Sequence, residues 1–112
     1  MSVRQMMCAF ENALTGTRVC WMRDEHGMKA SVMAIIPESN KRAGDGNRSN
    51  RLADRAMKVA EREARRIGNV LSAGVFMGGE GHGSVSAYGI ADVALTQETE
   101  NRLSNSGIPQ VQ

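Results

Sequence analysis

RSNRLADRAMKVAEREARRIGNVLSAGVFM, residues 48–77, contains both of the periodicities from which the fold is read. Arg48, Arg51, Arg55, Lys58, Arg62 and Arg65 recur at spacings of three and four. That spacing keeps side chains on one side of an α-helix, because about 3.6 residues complete a turn. At about 100° per residue the six fall within a sector of roughly 100°. A second row, Leu52, Ala56, Val59, Ala60, Ala64 and Ile67, lies about a third of a turn away. The stretch therefore predicts an amphipathic helix from about Ser49 to Ile67, one face on a core and one cationic face outward. Gly68 and Asn69 end it. From Val70 to Met77 the helical period is lost and a short apolar run predicts a strand.

Working upstream, ESNKRAGDGNR (38–48) is rich in turn formers and reads as a polar loop. Before it, residues 17–24 and Met28 to Ile36 predict two strands joined at Asp24-Glu25-His26-Gly27, the second closed by Pro37. Val3, Met6, Met7, Phe10, Ala13 and Leu14 hold a helical pattern over residues 2–14, with Ser2 and Gln5 at capping-box spacing and Gly16 as a stop. Downstream, GGEGHG reads as a loop and Ser84 to Val93 as a fourth strand. Beyond Leu95 the chain turns polar, with a short helix over Gln97 to Leu103 and a frayed end, SNSGIPQVQ.

The order αββαββ predicts an α+β domain over residues 1–95. Two hairpins join in a four-stranded antiparallel sheet with two helices on one face. Residues 96–112 are expected to be a polar, partly disordered tail. Trp21 shares a strand face with Val19 and reads as core. On the third strand Leu71, Ala73, Val75 and Met77 alternate with Val70, Ser72, Gly74 and Phe76, so both faces are partly apolar. A two-sided apolar strand in so small a domain predicts a covered second surface and a homodimer.

A chain of 112 residues makes one domain with a modest core. Its net charge of +2 is unevenly spread. Residues 41–66 hold nine Lys or Arg against four Asp or Glu, and the remainder five against eight. Local fields, more than the total, attract a partner. Arg outnumbers Lys eleven to three, and Arg is the better residue for bidentate contact with phosphate or carboxylate. Cys8 and Cys20 have neither metal nor redox spacing and read as small reduced core residues in a helix and a strand. No stretch approaches the roughly 18 apolar residues that span a bilayer, and the N-terminus lacks the pattern of a signal peptide. The expectation is a cytoplasmic protein that does not engage a membrane.

The candidate binding surface is Lys41, Arg42, Arg48, Arg51, Arg55, Lys58, Arg62 and Arg65. A row of cations with no acid among them fits a phosphate backbone, so nucleic acid, DNA or RNA, is the leading expected partner. The second reading is a protein–protein module, a small inhibitor or adaptor, that docks the same face on an acidic protein surface. GDGNRSN (44–50) opens the basic helix, and free N–H groups there suit an anion, although the loop is neither a P-loop nor a dinucleotide signature. In GGEGHGS (78–84), Glu80 and His82 could serve as ligands or as an acid and base, but too few partners accompany them. A small phosphorylated ligand at these loops is the third reading. Glu63 falls in the apolar sector of the helix and is expected to pair with Arg66. No catalytic constellation, metal site or cofactor motif emerges, so the expected function is non-enzymatic.

Overall fold

The structure, a computed structural model, describes residues 10–12, 17–38, 46–79 and 85–111, with side chains over 17–36, 51–75 and 87–111. Its elements are β1 (Phe10–Asn12), β2 (Thr17–Arg23), β3 (Lys29–Glu38), α1 (Gly46–Ile67), β4 (Val70–Gly79), β5 (Val85–Ala94) and α2 (Gln97–Ser106). The strands form one antiparallel sheet in the order β1-β2-β3-β5-β4. The chain is thus an α+β domain in which four long strands, with the three-residue β1 added at one edge, carry two helices. The hairpins β2–β3 and β4–β5 join along β3 and β5, from Lys29↔Ala94 to Glu38↔Val85.

Strand alternation sorts the side chains. Val19, Trp21, Ala30, Val32, Ala34, Ala91 and Val93 point to one face and meet Val59, Ala60, Ala64 and Ile67 of α1 and Leu103 of α2 in a single cluster. Both helices therefore lie on the same side. Ala56, Ala60 and Ala64 are wholly buried, and their small side chains bring α1 close to the sheet. On the opposite face, Cys20, Met33 and Tyr88 are buried together beside Met22, Ile35 and Ile90.

The β2–β3 turn is held by Asp24, whose Oδ1 accepts from the backbone N–H of Met28 (2.7 Å) and Lys29 (3.2 Å). Gly27 takes φ of +69°, a left-handed conformation that favours glycine. α2 begins at Thr96, whose hydroxyl accepts from the N–H of Thr99 at 3.2 Å, and ends at Gly107 with φ of +80°.

The structure departs from the sequence expectation at five places. Residues 10–12 form β1, pairing Phe10 with Val19, where a helix was expected over 2–14. The rest of that stretch lies outside the described residues. Helical spacing of apolar residues did not outweigh backbone pairing with β2 there. β3 continues through Pro37 to Glu38, because β2 pairs only as far as Ile35 and Pro37 faces a strand on one side alone. α1 begins at Gly46, so residues 46–50 of the expected anion-holding loop are helical.

The fourth difference is the C-terminal segment, which is not a frayed tail. Leu103 and Ile108 are buried in the main core, and Trp21 and Gln110 form a parallel bridge. The Trp21 N–H donates to the Pro109 carbonyl (3.0 Å) and the Val111 N–H to the Trp21 carbonyl (2.8 Å). The fifth concerns cysteine. Cys20 is disulfide-bonded, not a reduced core residue. Cys8, expected on a helix, lies outside the described residues.

Candidate nucleic-acid interface

α1 is 22 residues long, and its Ala- and Val-lined face against β5 fixes which way the remaining faces point. Arg51, Arg55, Lys58, Arg62 and Arg65 are all exposed. Arg51, Asp54, Arg55, Lys58 and Arg62 line one shallow groove along the helix, with buried Val59 at its floor. From Arg51 to Arg62 the helix rises about 16 Å. Arg48 lies in the first turns of α1, at the start of the same row, with its side chain outside the described set. Lys41 and Arg42 lie outside the described residues, as do Glu80 and His82.

The row is not uniform in charge. Lys58 Nζ is 2.9 Å from an Asp54 carboxylate oxygen, and Arg65 Nη2 is 3.0 Å from Glu61. Both are i,i+4 pairs with the acid on the N-terminal side, the favourable orientation on a helix. Such exposed pairs contribute only about 0.3–0.5 kcal/mol each, so an anionic partner can displace the acid at little cost. Among the described residues, Arg51, Arg55 and Arg62 make no ion pair. Three guanidinium groups with all their donors toward water therefore share one groove.

Glu63 stands apart from this row. It is 3% exposed, and Arg66 reaches it at 3.1 Å from the surface. Arg66 therefore belongs to the helix–core boundary, as the spacing predicted, and contributes less to the outward field. At the C-terminus of α1, Arg102 of α2 donates to the Ile67 carbonyl at 3.2 Å and also pairs with Glu98. That bond satisfies one of the carbonyls a helix end leaves open and ties α2 to α1.

Two groupings are not legible from spacing because each joins elements distant in sequence. Asp92 on β5 accepts from Ser31 on β3 (2.6 Å) and Ser72 on β4 (3.1 Å), a polar strip across the face opposite the helices. Arg23 sits 5.6 Å from the Trp21 ring centre and pairs with Glu100 of α2. His26, on the exposed β2–β3 turn, lies 3.7 Å from Glu25. Among the described residues no three His, Cys, Asp or Glu side chains are placed to hold a metal. Among them too, no helix is long and apolar enough to cross a membrane.

In comparisons with known proteins, no family, curated protein or solved structure matches the chain.

Proposed function

We propose that this is a small non-enzymatic binding protein that engages nucleic acid through the outward face of α1. The observation that carries the reading is the trio Arg51, Arg55 and Arg62, exposed along one groove and held by no ion pair among the described residues. Three unpaired guanidiniums in a line match a polyanion better than a single small ligand, because each neutralised phosphate releases counterions. Among the described residues no base-reading element stands beside the row, so the contact proposed is to the phosphate backbone, which positions a strand without reading its sequence. Lys58 and Arg65 join on binding by exchanging Asp54 and Glu61 for phosphate. The first turn of α1 holds Arg48 and no acidic residue, so its charge has the same sign as the row.

The test is a pull-down of the purified chain from native lysate with and without nuclease. Loss of the captured material on nuclease treatment supports this reading. A nuclease-resistant protein complex that is sensitive to Arg55→Glu favours the second reading, an acidic protein surface docked on the same face.

A further inference from the structure

β4 is the outermost strand on its side of the sheet, and among the described strands its only neighbour is β5. The opposite edge is finished differently, by β1 against residues 17–19 and by the Gln110 bridge at Trp21. An outer strand offers a row of unpaired N–H and C=O groups, which soluble proteins usually blunt with Lys, Pro or a short strand. β4, VLSAGVFMGG, has ten residues and neither charge nor proline. A bulge at Val70/Ser72 disturbs its start, and from Ser72 to Gly79 it stays in one register with β5. Residues 71–75 are exposed, and Leu71 and Val75 are two of the three large hydrophobics most exposed among the described residues, at 55% and 40%.

We propose that the β4 edge pairs antiparallel with β4 of a second copy of this chain, joining two sheets into one. The edge is neutral, so it offers a charged peptide nothing and does not repel itself. Pairing of a strand with its own copy is isologous, so it satisfies both edges at once and closes the assembly. The position of α1 is compatible with this pairing. Val75 pairs with Gly89, whose face is covered by α1 at Ala56, so Val75 lies on the helix side of the sheet. A twofold axis normal to the sheet preserves faces and puts both copies of α1 on one side. β5 and its copy are then three strand spacings apart, about 14 Å. α1 touches β4 and β3 about equally, so it stands over β5, and the two helices flank the seam at about that distance. Half-buried Met57 lies half a turn around α1 from Arg66, which faces α2, and so stands on the β4 flank, toward the seam.

Both cationic rows then face the same way. That consequence, unlike the assembly, rests on the nucleic-acid reading.

The test is the mass of the purified, nuclease-treated protein at tens of micromolar by light scattering, with native mass spectrometry alongside. Twice 12.1 kDa is expected. Val75→Lys sets like charges near the axis and is expected to give 12.1 kDa with an unchanged circular dichroism spectrum. Ala73→Lys, on the same exposed edge, gives the same readout should Val75→Lys fail to fold. A wild-type mass of 12.1 kDa overturns the proposal, as does a monomer carrying a foreign extended peptide. Folded lysine variants that stay dimeric overturn it too, because they place the contact elsewhere. A dimer that ignores nucleic acid keeps this inference and removes the functional one. A monomer that binds nucleic acid does the reverse.

Discussion

A Cβ on Gly89 of β5 would stand 2.2 Å from the carbonyl oxygen of Ala56 in α1. The helix rests directly on the strand backbone at that point, so its distance from the sheet is set there. Gly89→Ala must therefore push α1 outward or bend β5. The expected loss is about 2–4 kcal/mol in chemical denaturation, at the upper end for overpacking because the obstacle is backbone and cannot rotate away. Gly74→Ala is the control. A Cβ there meets nothing within 4 Å, and the change is expected to stay within about 0.5 kcal/mol. Equal effects at the two positions would contradict the close contact.

The C-terminal helix is expected to be part of the folded unit. Leu103 is 2% exposed in the main core, so Leu103→Ala should cost about 2–4 kcal/mol. Thr96→Ala removes the cap of the same helix and should cost about 1 kcal/mol. Denaturant midpoints measure both. A neutral Leu103→Ala would mean that α2 is not docked.

How far the sequence discloses this molecule depends on how local each signal is. α1 was legible because 20 residues of one period place Arg51, Arg55 and Arg62 opposite Ala56, Ala60 and Ala64 without outside help. The Glu63–Arg66 pair was legible for the same reason, being three residues apart. α2 was only half legible. Leu103 is its one large apolar side chain, too few to mark a docked face, and what holds it is Arg102 on the Ile67 carbonyl and the Trp21 contact of Pro109 and Val111. β1 is not legible in the sequence because Phe10 satisfies a helical pattern as well as a strand, and pairing with Val19 decides between them. The Ser31–Asp92–Ser72 strip needs the strand order, which spacing alone does not supply. Within the candidate site, the cationic face could be read directly, while its division into paired and unpaired cations needed the side-chain geometry.

Acid should loosen the β2–β3 turn. Some desolvation raises the Asp24 carboxyl, but hydrogen bonds from the Lys29, Met28 and Gly27 backbone and the nearby His26 outweigh it and hold the group below its ordinary 3.8. A folded-state value below the unfolded one adds stability above 3.8 that is lost as pH falls through the folded value. Asp24→Asn should remove that component. The stability difference between wild type and Asp24→Asn is expected to be flat above about pH 5 and to shrink on further acidification. Denaturant midpoints between neutral pH and about pH 2 follow it. A difference that stays constant across that range would contradict the role given to Asp24.

Reversing the unpaired cations should separate binding from stability. Arg55→Glu with Arg62→Glu is expected to abolish retention on a nucleic-acid column and to leave the melting temperature within a few degrees, because exposed charges contribute little to folding. A large fall in melting temperature would place these arginines in the fold instead of on a binding face.

The most direct measurement is the salt dependence of duplex binding, compared between two sets of substitutions on α1. Each phosphate neutralised contributes about 0.9 to the slope of log K against log salt. Replacing Arg51, Arg55 and Arg62 with Ala is expected to flatten the slope by two to three. Replacing Lys58 and Arg65, which reach phosphate only by giving up Asp54 and Glu61, is expected to flatten it by one to two, less than the triple substitution. A wild-type affinity indifferent to salt, or a slope that the triple substitution leaves unchanged, would contradict nucleic-acid binding by this face.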